Sequence, residues 1–265
     1  MSDIFNTTIL GIIFGTLGTA LGGVIGIFQK RKSNKFLSFV LAVASGLMLA
    51  VICFSLIPEA LEISKVYVTL EGIVIGIIAM ICCELFIDKI LKNNTKKFRK
   101  NSKNFEKNKD ENEKNFQKNR LLKTGLIVSI GLALHNIPEG LAIGSGFDLS
   151  NTLGFSLAIA ICLHDVPEGI SMAIPLKNGG LSKIKVMIYV ILSGLATGLG
   201  AIIGGIIGNI SEKIIALSLA FAAGAMLYIV SGELIPEYNK LYNGRLSALG
   251  NMLGFIIGLF AMLFL

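Results

Sequence analysis

The sequence predicts an all-α integral membrane protein with eight transmembrane helices, and three observations carry that expectation. Stretches of about 20 apolar residues recur along most of the chain, the length that crosses a hydrocarbon core of about 30 Å. Composition agrees: 53% of the 265 residues are apolar, mean hydropathy is +0.74 and tryptophan is absent, unlike a soluble domain. The runs are unbroken rather than alternating, so their backbone polar groups are satisfied in helices rather than in barrel strands.

The spans fall at 7–28, 36–60, 67–90, 122–146, 152–176, 186–209, 213–236 and 246–265. The first is expected to be a retained helix rather than a signal peptide. Met1 to Asn6 carries no positive charge, and no small-residue cleavage site precedes the basic cluster from Gln29 to Lys35. The second and third follow, giving helices 1–3 within residues 1–91. Residues 92–121 break the pattern: they are Lys/Asn-rich, acidic in patches and nearly free of aliphatics, as expected of a disordered loop that is solvated and sets orientation. Helices 4–8 occupy residues 122–265 of the same membrane domain.

A net charge of +7 would point to nucleic acid in a soluble protein, but the placement of the charges explains it without such a partner. Lys30, Arg31, Lys32 and Lys35 follow span one; thirteen bases lie between Lys89 and Lys123; Lys177, Lys183 and Lys185 follow span five; Lys240 and Arg245 follow span seven. Only Lys65 and Lys213 fall in the other loops. The positive-inside rule therefore puts the basic loops in the cytoplasm and both termini outside, in a multi-pass protein of the plasma or inner membrane. Cys53, Cys82, Cys83 and Cys162 all lie in apolar spans without a C-x-x-C pair and are expected to be small packing residues.

Two internal repeats stand out. Gly46, Met48 and Leu56-Ile57-Pro58-Glu59 of span two recur at identical spacing as Gly224, Met226 and Leu234-Ile235-Pro236-Glu237 of span seven. His135-Asn136-Ile137-Pro138-Glu139-Gly140 in span four is matched by His164-Asp165-Val166-Pro167-Glu168-Gly169 in span five. Both pairs join spans that run in opposite directions, the pattern of inverted repeats that places a substrate site near the bilayer midplane.

The only two histidines of the chain lie in this second pair. Ionisable residues inside a membrane helix are costly, so they mark function by default. His at i and Glu at i+4 share one helix face, so His135 with Glu139, and His164 with Glu168, each offer an imidazole and a carboxylate. Two facing helices then supply four ligands of the kind that suits zinc, iron(II) or manganese, with two carboxylates to neutralise a dication. Pro138 and Pro167 free the carbonyls of Leu134 and Leu163. Asn136 and Asp165 point about 100° away and offer a second position beside the first. The bland alternative is a Pro-Glu-Gly kink that merely packs two helices, with His and Glu satisfying each other.

At these residues the chain resembles the Zrt/Irt-like (ZIP) family of divalent-metal transporters, in its bacterial branch close to GufA and ZupT. The resemblance covers nearly the whole chain and implies eight helices in a 3+2+3 arrangement, with inverted repeats around a central pair. It implies a transport site at His135, Glu139, His164 and Glu168, completed by Met48, with Asn136 and Asp165 at an adjacent second metal position. It also suggests Glu84 and Glu233 as an exit relay. Two departures matter: Thr197 stands where bacterial members often carry a sixth-helix glutamate, which favours one ion over two, and the loop 92–121 has no histidine.

The expected function is movement of zinc, with cadmium, iron or manganese as further substrates, toward the cytoplasm. No cofactor is implied beyond the transported metal. No G-x-x-x-x-G-K-[ST] stretch is present to couple ATP. An exchanger using the same acids, or a metal-dependent intramembrane enzyme, are the alternatives; the second lacks H-E-x-x-H. The Gly-rich first and sixth helices (Gly11, Gly15, Gly18, Gly22; Gly200, Gly204, Gly208) permit close packing within one chain or in a homodimer.

Overall fold

The apolar runs become eight helical rods. The structure, a computed structural model, describes residues 2–28, 33–101, 109–149, 151–207 and 212–264. Helix α1 is Ser2–Phe28, α3 Val66–Asn101, α4 Lys109–Leu149, α5 Asn151–Asn178, α6 Lys183–Ile207 and α8 Arg245–Phe264. Helix α2 covers Asn34–Ile63, and α7 joins Glu212–Tyr228, Ile229–Leu234 and Ile235–Leu241. Over the described residues six of these rods are long and apolar enough to cross a membrane, and Arg245–Ala261 is a shorter apolar helix.

The stretch 92–121 departs from expectation. Helix α3 runs on to Asn101 and α4 starts at Lys109, so both ends of the Lys/Asn-rich segment are helical rather than without structure; residues 102–108 lie outside the described residues. Lys, Glu and Gln are adequate helix formers, and lengthening an existing helix avoids the cost of a nucleus.

Helix ends and irregular turns follow from local sequence. Ser33 caps α2 by accepting a hydrogen bond of 3.1 Å from the Phe36 N–H. Helix α5 stops where Gly180 takes φ +101°, which lets the Leu181 N–H reach back to the Leu176 carbonyl at 3.2 Å. Both α2 and α7 contain a wide π turn, Ile52–Leu56 and Ile229–Leu234, just before Ile-Pro-Glu. Proline has no N–H and its ring collides with the carbonyl four residues back, so the helix widens there, and the Ile57 and Ile235 N–H groups bond five residues back to Ile52 and Val230.

The helices sort into two bodies. Helices α1, α4, α5 and α6 pack on one another, as do α2, α3, α7 and α8; the bodies meet where α4 lies on α7 and α3, and where α5 lies on α2. Glycine positions give the directions. Gly11 meets Ala201 and Gly23 meets Val190, so α1 and α6 are antiparallel, while Gly18 meets Cys162 and Gly26 meets Ala173, so α1 and α5 are parallel.

The inverted repeat extends over six helices. Gly22 and Gly200, Gly46 and Gly224, Pro58 and Pro236, and Gly76 and Gly254 are each 178 positions apart, relating α1, α2 and α3 to α6, α7 and α8 without a gap. Contacts obey the same rule. Gly22 abuts the Val166 carbonyl and Gly200 the Ile137 carbonyl; Gly46 abuts the Asn251 carbonyl and Gly224 the Ile73 carbonyl. In each pair the neighbours are themselves repeat partners. The glycines of α1 and α6 among the described residues are thus used within the chain, against α4, α5 and each other; Gly208 lies outside them.

Candidate functional site

The site is built on the central pair α4 and α5. Both helices run on through their prolines, Pro138 in α4 and Pro167 and Pro175 in α5. The glycine ending each motif sits where the helix presses hardest on a neighbour: a Cβ at Gly140 would strike the Thr197 carbonyl of α6, and one at Gly169 the Thr19 carbonyl of α1. These close approaches fix the rotation of α4 and α5, and with it the direction of the residues just before each glycine.

The result is a buried cluster. His135 Nε2 lies 2.8 Å from Glu139 Oε1 on the same helix face and 3.3 Å from Glu168 Oε1 across the pair. His135 is fully buried, Glu139 is 2% exposed and Glu168 1%. The i, i+4 spacing and the opposition of the two motifs read from the sequence are therefore realised for these three residues. The side chain of His164 lies outside the described residues. Among the described residues no group of three His, Cys, Asp or Glu side chains is arranged to enclose an ion; His135 and the two glutamates face one another directly.

Asn136 and Asp165 are fully buried as well. The Asn136 amide donates to the Ser193 carbonyl of α6 at 3.0 Å, and Asp165 packs beside Gly18 of α1. Asn136 thus reaches α6, and the Asp165 Cβ lies against α1. Thr19, Ser193 and Thr197 are buried on the α1/α6 side too, so Thr197, which departs from the acid common in bacterial members, is one hydroxyl of a buried polar layer.

Met48 takes the opposite side. It is 1% exposed and lines a cavity of about 400 Å³ between α2, α5 and α8, whose wall also includes Leu163, Glu168, Met226 and Gly258. Among the described residues Glu168 is the one charged group in that wall. Met226, the repeat partner of Met48, reaches the same space, so two thioethers from opposite halves of the fold border one carboxylate. The spacing repeat pointed to Met226, but only the packing of α7 on α2 brings it here.

The relay candidates are far more engaged than sequence suggested. Glu84 accepts hydrogen bonds from Lys123 at 2.8 Å and from Tyr228. Lys123 also pairs with Asp88 at 2.9 Å. Glu233, 9% exposed, accepts from Thr124 at 3.0 Å. Glu237, the acid of the span-seven repeat, is buried and holds Arg120 through two bonds of 2.8 and 3.1 Å. In the sequence Arg120 and Lys123 count only among the thirteen bases that set orientation, because a base near a helix end reads as a solvated charge.

Comparison with known proteins places the fold. The ZIP zinc transporter family model matches residues 5–265. The zinc transporter ZupT of Akkermansia muciniphila is 30% identical over 251 residues, covering 91% of this chain and 91% of that protein. The zinc transporter ZIP11 of Xenopus tropicalis is 40% identical over 139 residues, and the zinc transporter GufA of Myxococcus xanthus 36% over 137. These two matches span about half of this chain, 41% of the frog protein and 54% of the Myxococcus one. With its family match running almost end to end, the chain belongs to the ZIP zinc transporter family, a family of multi-pass membrane transporters rather than of enzymes.

Proposed function

We propose that this chain carries zinc across the membrane toward the cytoplasm, through a site made by His135, Glu139, His164 and Glu168 with Met48 at its edge. The observation that carries the reading is the meeting of His135 with Glu139 and Glu168 at 2.8 and 3.3 Å deep inside the bundle. Two carboxylates and one or two imidazoles match zinc's preference for nitrogen and oxygen ligands and neutralise a dication in low dielectric. Iron, manganese and cadmium suit the same donors, and the thioethers tilt the site toward zinc and cadmium.

Access is argued from the cavity. It lies beside the half of α8 nearer its end, where Ile257, Gly258 and Ala261 face Glu168; with both termini outside, this is the external side. An ion reaching Glu168 displaces the contact between that carboxylate and His135. Ligands must be deprotonated to hold metal, so protons leave as zinc binds. Inward passage of an uncompensated dication gains roughly 4.6 kcal/mol per 100 mV, about 2.3 for each charge, so no nucleotide is needed. Release follows when the α1/α4/α5/α6 body shifts against the other four helices, exposing the site to Glu84 and Glu233.

The test is zinc uptake into liposomes by the purified protein, comparing the parent with His135→Ala and Glu168→Gln. Saturable uptake lost in both variants supports the reading. Uptake that survives both substitutions in folded protein removes the site from the mechanism.

A further inference from the structure

The repeat relates two seams between the bodies. One lies where α4 meets α3 and α7; the other, its symmetry partner, lies where α5 packs on α2 and faces α8 across the cavity. They are not alike. In the second seam is the cavity of about 400 Å³, with Gly258 in its wall. The residue 178 positions before Gly258 is Met80, which is fully buried in the first seam with its Cε against Gly131 of α4, beside Ile229 of α7. Met80 fills on one side the space that Gly258 leaves on the other.

Charge differs in the same sense. At the end where α4 enters the bundle, Arg120 bridges to Glu237 of α7, Lys123 to Glu84 and Asp88 of α3, and Thr124 to Glu233 of α7. By the step that takes His135 to His164, the counterpart of Lys123 on α5 is Thr152, and that of Arg120 falls on Leu149, before α5 begins; neither is charged. The acid related to Glu237 is Glu59, so the repeat retains that acid while the base that clasps it exists on one side only.

We infer that Arg120 and Lys123 are gating residues: their ion pairs clamp α4 to α3 and α7 and hold shut the path by which zinc would leave the site. This rests on the transport reading for what passes, but not for the clamp itself. The pairs cross between two bodies rather than lying within one, so any displacement of α4 along α7 must break them. They are charge-assisted, one of them bidentate, and Glu237 is 2% exposed, which makes them stronger than surface pairs. Lys123 also places a tethered cation between Glu84 and Asp88. A leaving dication attracted to those acids competes with that ammonium, and so loosens the clamp as it arrives.

The test uses Val128, which is fully buried one turn beyond Thr124 on the same face of α4. Val128→Cys is placed in protein whose four native cysteines are changed to serine or alanine. A membrane-impermeant maleimide is then applied from the side on which α4 begins, in everted vesicles. The clamped parent labels slowly, and Arg120→Gln with Lys123→Met labels about tenfold faster, as a shift of population toward the open seam requires. Exchanging the charges, Arg120→Glu with Glu237→Arg in otherwise clamped protein, restores slow labelling, which a merely structural role would not predict. Unchanged labelling in the double variant overturns the clamp, as does a charge exchange that leaves labelling fast. Zinc uptake measured on the same proteins separates the two readings. Parent uptake with unresponsive labelling leaves transport standing and removes the clamp, whereas responsive labelling without parent uptake does the reverse.

Discussion

Replacing Gly140 by alanine tests whether helix contact sets the geometry of the site. A Cβ there would lie 1.8 Å from the Thr197 carbonyl oxygen and 2.8 Å from the Ala201 N. Both are backbone atoms of α6, so neither can rotate away. Ordinary contact of a Cβ begins at 3.4 Å, so without other adjustment α4 and α6 must separate by roughly 1.6 Å at this point. Overpacking of this kind costs about 1–3 kcal/mol, from which the better helix propensity of alanine returns about 1. The net loss of up to about 2 kcal/mol corresponds to a fall of up to several degrees in Tm for a chain of this size. Glu139 is the preceding residue, so the same displacement moves its carboxylate relative to Glu168, and zinc uptake at subsaturating zinc should fall about tenfold or more. Thermal unfolding in detergent and liposome flux read the two effects. The repeat supplies a check: Gly169→Ala meets the Thr19 carbonyl at 2.1 Å and should behave alike. Gly232→Ala, whose Cβ would sit 3.5 Å from the Tyr228 ring, should be silent. Normal stability and uptake in Gly140→Ala would refute the claim that this contact positions the site.

Four further outcomes are expected. Zinc at about 100 times its Kd should stabilise the parent by about 2.7 kcal/mol, and His135→Ala should lose that stabilisation in a thermal-shift measurement; equal shifts in both would detach His135 from zinc. Met48→Leu and Met226→Leu conserve volume and should cost under about 1.5 kcal/mol of stability, while lowering cadmium uptake more than manganese uptake in competition flux; identical changes for the two metals would deny the thioethers a role. Met80→Ala should open a void in the seam that is now closed and cost about 2–5 kcal/mol, read as a drop in Tm, with no drop if the side chain is not packed as described. Glu237→Gln keeps shape but removes the charge facing Arg120, and is expected to raise the Val128→Cys labelling rate without abolishing zinc uptake; slow labelling in that variant would count against the clamp.

Near-symmetry combined with local asymmetry explains how one polypeptide can present unlike openings to the two sides of a membrane. The backbone contacts of the two halves match carbonyl for carbonyl, as at Gly46 with Asn251 and Gly224 with Ile73. Such a frame has no built-in preference between the two seams. The preference comes from a few side chains that break the repeat: Met80 against Gly258, and Arg120 and Lys123 against Leu149 and Thr152. Exchanges of this kind shift the balance between states without altering the helices themselves.

The sequence by itself determined the membrane class and the helix count, because a run of about 20 apolar residues has one stable form in hydrocarbon. It also determined the pairing of His135 with Glu139, since residues four apart on a helix must share a face. The spacing of Gly46, Met48, Pro58 and Glu59 against Gly224, Met226, Pro236 and Glu237 likewise revealed the repeat before any contact was known. Tertiary structure decided the rest. That Glu168 meets His135, that Asn136 turns to Ser193, and that Met48 and Met226 border one cavity depend on how each helix is rotated about its axis. Backbone collisions at Gly140, Gly169, Gly22 and Gly200 set that rotation. The bases at 120 and 123 were legible only as charge, because an ion pair between α4 and α7 joins residues 117 positions apart, and no local period in the sequence carries information across such a distance.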